Sequence, residues 1–555
     1  MQERWYHIWI GLLLLASVQP VFVRANEKDV REEVLLTTDR SMYFAGSQVL
    51  FKADIRRQGS DHPEASSTVL YLEVFDPANR VVVQQKSPVN GGTSIGSILL
   101  PEDLVTGTYF IRAYTQVMRN RGPEHFWTNQ LLVIHPGKKP EVPLMKAVTD
   151  GPVPPGCPMA PPMPCGLQTD RVVYHPGEVV HVRMTSSAGA HLSVRVVPSG
   201  AFRESHNGLQ YRMKPPAARL DQQTAWYPEI RGISISGRVV YAGTQTPCSG
   251  VRVYVGVKDG EEQFHVTHTD SSGYFVVGLQ HLAQHQKVFI TTEKQSDQRF
   301  QILVNNNFSP DFATLPMQPM KIDSDDLGMI NMLYIARQAQ VSDTLLHVKR
   351  LDTVAWLPNP FQGAGQRILL KDYVEIPSMA EVFNEIVPYV SVHENKGKRM
   401  IETFDARSNT PFRHPLVLLD CIPFEDHEAL LALLPSQVES VEVISDYFLI
   451  GGVSVEGLIN ISTYQHNLGG LALPPEGVSV EMDGFAQLTE QHVVQTSLQD
   501  VRALIYWNPE VELNNGQASL QFPVNDVEGS YDVIVTGLTE SGERIFDTQT
   551  FQLKP

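Results

Sequence analysis

A few fragments of the chain carry residue types at spacings that can support chemistry. His175-Pro176-Gly177-Glu178 has the His-x-x-Glu spacing that can place two ligands on one zinc ion, and His427-Glu428-Ala429-Leu430-Leu431 opens like a zinc-binding helix. The second fails at once, because Leu431 stands where a second histidine one turn on would have to fall. The first is answered by an internal comparison. Phe44-Ala45-Gly46-Ser47 occupies the same place in a repeated unit, so these positions serve a turn and need no ligand chemistry. Asp420 closes the apolar run Pro415-Leu416-Val417-Leu418-Leu419, and a carboxylate at the end of a buried strand must be hydrogen-bonded or accessible. It is kept both as a turn cap and as a candidate partner contact. No Gly-x-Ser-x-Gly elbow, phosphate-cradling loop or dinucleotide fingerprint occurs. The expectation is a protein that is not an enzyme, with no catalytic residue, cofactor or metal.

The four cysteines point to compartment rather than catalysis. Arg4 precedes an apolar run from Ile8 to Val18, and Val23-Arg24-Ala25 offers small or aliphatic residues where a signal peptidase reads. As a helix that run would rise only about 16 Å, against about 30 Å for a bilayer core, so residues 1–25 are read as a cleaved secretory signal. Leu15-Ala16-Ser17 is followed by Val18 and not by Cys, which leaves no lipid attachment, and no other segment is apolar for long enough to span a membrane. Cys157 and Cys165 flank a proline-rich loop and are expected to pair in an oxidising compartment. Cys248 and Cys421 lie in separate apolar contexts and are expected as buried thiols.

Composition sets the architecture that must position these residues. The 555 residues carry 61 acidic against 44 basic side chains, a formal charge of −17, which argues against capture of nucleic acid. With 42% hydrophobic and 19% charged residues the chain is ordinary globular material, and its 39 Gly and 38 Pro recur between short apolar alternations. A mainly β, multidomain chain follows. Its clearest pattern is a repeat: Thr38-Asp39-Arg40-Ser41-Met42-Tyr43-Phe44-Ala45-Gly46 returns as Thr169-Asp170-Arg171-Val172-Val173-Tyr174-His175-Pro176-Gly177, and each copy runs into an alternating strand. Gly107-Thr108-Tyr109-Phe110-Ile111-Arg112-Ala113-Tyr114 closes the first copy.

The repeated unit resembles the macroglobulin-like sandwich, whose early strand reads Thr-Asp-Arg-x-x-Tyr-x-x-Gly. This implies one sandwich at 26–138, a Pro/Cys linker at 139–166 and a second sandwich at 167–228. In trapping macroglobulins a Cys-Gly-Glu-Gln motif forms a thioester. Cys165-Gly166-Leu167-Gln168 has that spacing, but it lies in a linker where the family has a helical domain. Residues 229–312, with Gly232-Ile233-Ser234-Ile235-Ser236-Gly237 and the turn Thr269-Asp270-Ser271-Ser272-Gly273-Tyr274-Phe275, resemble the carboxypeptidase regulatory-like domain, a transthyretin-type sandwich. After a helical linker at 313–364, the periodicity changes. Met379, Val382, Phe383, Ile386 and Val387 mark a helix capped by Ser378 and Glu381, and strands follow at 415–420, 438–444 and 457–462. That order resembles the plug domain of TonB-dependent outer-membrane receptors, here a small α+β unit at 365–465, departing at Cys421 where the family has Gly. A linker at 466–499 leads to a last sandwich at 500–555, which other parts of the chain can complete.

The whole order resembles exported Gram-negative envelope proteins that join these three domain types. About 90 residues follow the plug-like unit, whereas a 22-stranded barrel at about 10 residues per strand needs more than about 200, so no barrel is expected. A plug without its pore implies docking: a non-enzymatic component of the periplasm or outer membrane that binds an outer-membrane protein or envelope complex. Tyr447, Phe448, Leu449, Ile450 and Val453, beside Gly451-Gly452, are the candidate contact residues, with packing against a sandwich of the same chain as the other reading. A macroglobulin-type protease inhibitor and a cryptic hydrolase are the alternative functions.

Overall fold

The computed structural model describes the chain from residue 30 onward, apart from 59–65, 139, 141, 148–161, 188, 202–212, 221–224, 259–262, 280–281, 283–284, 294–298, 321, 323–326, 329, 332–333, 335–360, 362–363, 375, 413, 487–499 and 501. The expected signal segment and Cys157 lie outside the described residues.

Among the described residues eight strands build the first sandwich: β1 (Glu32–Thr38), β2 (Met42–Phe44), β3 (Gln48–Arg57), β4 (Val69–Phe75), β5 (Val81–Pro88), β6 (Thr93–Leu99), β7 (Gly107–Tyr114) and β8 (Trp127–Ile134). A sheet ordered β1-β3-β6 faces one ordered β2-β8-β7-β4-β5. The motif holds its entry corner. Tyr43 Oη donates to Asp39 Oδ1 (2.8 Å), and the Leu50 amide donates to the same oxygen (2.8 Å), so one carboxylate ties β2 to β3.

After a short strand β9 (Met145–Ala147), the second copy begins with β10 (Gln168–Thr169), β11 (Val173–Tyr174), β12 (Val179–Thr185) and β13 (His191–Pro198). The corner repeats atom for atom. Tyr174 Oη donates to Asp170 Oδ1 (2.6 Å), the His181 amide does the same (2.8 Å), and both turn glycines, Gly46 and Gly177, sit at φ +80°. Half a sandwich cannot close, and the chain leaves it for a long excursion.

The excursion first forms β14 (Ser234–Tyr241), β15 (Arg252–Lys258), β16 (Gln263–His268), β17 (Tyr274–Gly278), β18 (His285–Thr292) and β19 (Phe300–Val304), followed by β20 (Met317–Pro319), which pairs with β9. Asp270 Oδ1 accepts from the Ser272 and Tyr274 amides (2.8 and 3.0 Å), which places Phe275 in the core as the turn motif requires.

The plug-like unit comprises β21 (Gln366–Leu369), β22 (Val390–Asn395), β23 (Lys398–Phe404), β24 (Pro411–Phe412), β25 (Leu416–Leu419), β26 (Ile422–Pro423), β27 (Val438–Ile450) and β28 (Val453–Thr463). Its larger sheet runs β21-β27-β28-β25-β26, with β25 parallel to β28. Ser378 caps the expected helix by accepting from the Glu381 amide (3.3 Å). The α-helical part is only Met379–Glu381, and it widens into a π turn over Val382–Ile386 that buries Val382 and Phe383. The anticipated 466–499 linker contains β29 (Val478–Asp483), which extends the transthyretin-like sheet as β16-β15-β18-β29.

The tail returns as β30 (Tyr506–Val511), β31 (Gln517–Pro523), β32 (Gly529–Leu538) and β33 (Arg544–Leu553). The expected separate sandwiches at 167–228 and 500–555 are therefore two halves of one. The sheets are β10-β12-β31 and β11-β33-β32-β13-β30, the strand order of the first sandwich position by position. In the first copy β4 and β5 are joined by residues 76–80, and in the second the equivalent strands are joined by everything from 199 to 505. The excursion leaves and returns side by side, with Ser199 N donating to Ser530 O and Ile505 N to Val196 O, both at 2.9 Å. An insertion of this length adds little closure entropy when its ends are adjacent.

The two sandwiches share an apolar cluster, where Met42, Phe44 and Leu50 pack with Val197, Ala201, Leu504, Trp507 and Ile534. At the matching places of the second copy Val173, His175 and His181 face outward, so the difference in residue type follows from what is covered.

Candidate docking surface

The long hairpin of the plug-like unit decides which candidate residues are available. β27 and β28 pair from Val438↔Thr463 to Ile450↔Val453, with a register shift between Ile444 and Tyr447 that gives the outer end its own twist. Beyond that shift, alternate side chains point to opposite faces.

The inward face carries Phe448, Ile450, Val453 and Val455, which join Tyr254, Phe264 and Val266 of the transthyretin-like sandwich in one cluster, with the Phe361 ring tilted against that of Phe448. The turn itself is seated: Gly451 has φ +57°, and a Cβ there would collide with the Val266 carbonyl oxygen. A second contact lies at Gly256, where a Cβ would come within 2.6 Å of the Cys421 carbonyl oxygen. Phe448, Ile450 and Val453 are thus held within the chain, and the sandwich that holds them is the transthyretin-like one.

The outward face carries Tyr447 and Leu449, which are 60% and 70% exposed. Tyr447 meets Phe412 edge-on at 5.1 Å between centroids, and the Arg407–Asp446 ion pair (2.9 Å) borders it. Two large apolar groups stay in water on a support that is anchored behind them.

Asp420 does not belong to this surface. It lies at the opposite end of β28, roughly 30 Å away along the strand at about 3.3 Å per residue. It is 1% exposed, and its carboxylate accepts from the Thr463 amide (2.6 Å), the Thr463 hydroxyl (2.8 Å) and the Leu468 amide (2.8 Å). Asp420 and Cys421 form the turn between β25 and β26 at φ +48° and +60°, so the position where the resemblance implies Gly is filled by a left-handed cysteine.

The remaining candidates are structural in their geometry. Glu178 accepts from the His175 amide (2.8 Å) and pairs with Arg171 (3.0 Å), a turn and not a ligand pair. His427 Nδ1 accepts from the Ile401 amide at 2.9 Å. Cys165, Cys248 and Cys421 are buried, and the expected pairing of Cys165 with Cys157 falls outside the described residues. Burial, and then Asp547, push the Cys165 thiol up to about 12, which keeps it protonated and opposes the thiolate that nucleophilic chemistry needs.

No family model matches the chain, and no curated protein matches it. Among solved structures, native Escherichia coli alpha-2-macroglobulin aligns over 94% of this chain and 40% of its own at 9% identity, with a TM-score of 0.23. The elastase-activated form of the same protein aligns over 94% and 44% at 10% identity and 0.25. Dimeric latent PorU from Porphyromonas gingivalis aligns over 94% and 34% at 11% identity and 0.16. The chain spans less than half the length of each of these structures. At such TM-scores nothing about function passes from them to this chain.

Proposed function

We propose that this chain is an exported, non-enzymatic component of a cell envelope that docks on an outer-membrane protein or complex through the outward face of its long hairpin. One observation carries the reading: Tyr447 and Leu449 stand 60% and 70% exposed on a hairpin whose other face is locked against the neighbouring sandwich. A rigid support holding two large apolar side chains in water loses little conformational entropy on association, and burying each group contributes on the order of 1.5–3 kcal/mol before the costs of binding. Among the described residues no helix is long and apolar enough to cross a membrane, so attachment through a partner is the route this reading takes. The tail strands β30–β33 are committed to the second sandwich.

Replacing Tyr447 and Leu449 together by Ser is expected to abolish co-purification of the partner from solubilised envelopes while leaving the melting temperature within about 1–2 °C, because both side chains are solvated in the free protein. Unchanged co-purification removes this face from the docking site. The matching control, Phe448→Ser, is expected to lower the melting temperature by unseating the hairpin from the transthyretin-like sandwich.

A further inference from the structure

Four stretches of chain converge on one buried carboxylate between the first sandwich and the transthyretin-like sandwich. Glu229 closes the segment that leads into β14. Its backbone carbonyl accepts from the Thr68 amide (2.7 Å), and its Oε1 accepts from Tyr71 Oη (3.0 Å), the Ser234 amide (2.6 Å) and Ser234 Oγ (2.8 Å). Its Oε2 is buried with no hydrogen-bond partner. Across from it Lys86, 1% exposed, donates to the Asp483 carbonyl oxygen (2.7 Å) at the place where the chain leaves β29 and pairs with β5 through Lys86↔Phe485. Phe308 packs against both sides, edge-on to Tyr71 at 5.4 Å and 5.7 Å from the Lys86 ammonium.

We propose that this junction is a proton-sensitive fastening between the two sandwiches, which tightens when Glu229 takes up a proton. The geometry supplies the reason. An ionised Glu229 leaves one carboxylate oxygen without a donor in a site closed to water, whereas the acid form keeps the three donors on Oε1 and removes that burden.

The direction of titration agrees. Burial raises Glu229 to about 7, against the lowering effects of Ser234, Tyr71 and Lys86. Burial lowers Lys86 to about 8, opposed by Glu229 and Asp483. A raised acid contributes stability that is complete below its ordinary value of 4.5 and is lost as pH rises through about 7. A lowered amine contributes stability that is complete above 10.5 and is lost as pH falls through about 8. The junction is therefore weakest between about 7 and 8, with an acid arm that belongs to Glu229 and an alkaline arm that belongs to Lys86.

Other titratable groups face the pair. Tyr71 is pushed well above its usual range and remains a donor. The Asp483 carboxylate is held by exposed His285 (2.8 Å), whose raised value adds a slope of the same sign as Glu229. Beyond Tyr71, Tyr114 donates to Glu73. Variants are needed to assign the arms.

Amide hydrogen exchange of the full chain at pH 5.5, 7.5 and 9.5, corrected for intrinsic rates, reads the junction through the Thr68, Ser234 and Ala486 amides, which donate into it. Protection is expected to rise on the order of 10–100-fold from pH 7.5 to 5.5 in the native chain. Glu229→Gln, which keeps the shape, should flatten that arm. Lys86→Met should erase the alkaline arm and move the acid midpoint upward, because the ammonium no longer favours the carboxylate. Flat protection in the native chain, an acid arm that survives Glu229→Gln, or a midpoint unmoved by Lys86→Met would each overturn the proposal, and the last still decides if Glu229→Gln fails to fold.

Discussion

Replacing Arg112 by Met is expected to cost about 3–5 kcal/mol, a large change for any single substitution in the chain. Arg112 lies in β7, whose side chains are all buried, and its guanidinium is enclosed by protein. It pairs with Glu73 at 2.6 Å and donates to the Asp311 and Ser309 carbonyl oxygens (2.6 and 2.7 Å), with the Phe312 ring 3.9 Å from its centre. These contacts clamp the segment after β19 onto the outer face of the first sandwich. Met fills the space but leaves Glu73, fully buried, with a charge and no cation, which is the costly part. Denaturant unfolding of Arg112→Met should show the loss in its first transition, and hydrogen exchange should rise across residues 305–312. Adding Glu73→Gln should recover more than half of it, because the uncompensated charge is gone. A single variant within about 1 kcal/mol of the native protein would show that the pair is not what holds this face.

The local chemistry of the fold was readable in the sequence because the groups concerned are close in the chain. Asp39 with Tyr43 and Asp170 with Tyr174 are four residues apart, and their shared geometry follows from the repeat alone. The Asp270 turn and the Ser378 cap are equally local. What was not legible is pairing between distant strands. β13 and β30 are neighbours in a sheet although the whole transthyretin-like and plug-like region lies between them. One signal did exist: Gly107-Thr108-Tyr109 and Gly529-Ser530-Tyr531 are the same turn, and both tyrosines donate to the carbonyl four residues back, Val105 at 3.1 Å and Val527 at 2.8 Å. Reading that pair as the closing strands of two equivalent units would have assigned the tail to the second copy.

The candidate site was half legible for a related reason. Period-2 alternation places Tyr447 and Leu449 opposite Phe448 and Ile450, but a run of apolar residues does not say which face meets water. The answer came from Gly451 and Gly256, whose missing side chains admit backbone from the neighbouring domain. Arg112 and Glu229 offered a different cue, a charged residue within an otherwise apolar strand or at its entry, which marks a buried partner that the sequence does not name.

Asp420→Ala is expected to destabilise the plug-like unit by about 3–5 kcal/mol without a direct effect on docking. Three donors, the Thr463 amide and hydroxyl and the Leu468 amide, converge on the carboxylate and would be left in a site from which water is excluded. Ala also accepts φ +48° less readily than Asp, whose short polar side chain suits left-handed turns. Asp420→Asn separates these contributions, because Asn keeps the turn and one acceptor oxygen while its amide nitrogen would face the Leu468 N–H, so a loss of about 1–3 kcal/mol is expected. Chemical denaturation of both variants, followed by partner co-purification at a temperature where each remains folded, distinguishes a cap from a contact. A cap gives the ordering Ala worse than Asn worse than native in stability, with partner recovery unchanged. Loss of the partner from a fully folded Asp420→Asn protein would instead return the carboxylate to the docking surface, and it would require the segment 463–468 that now covers it to open when the partner arrives.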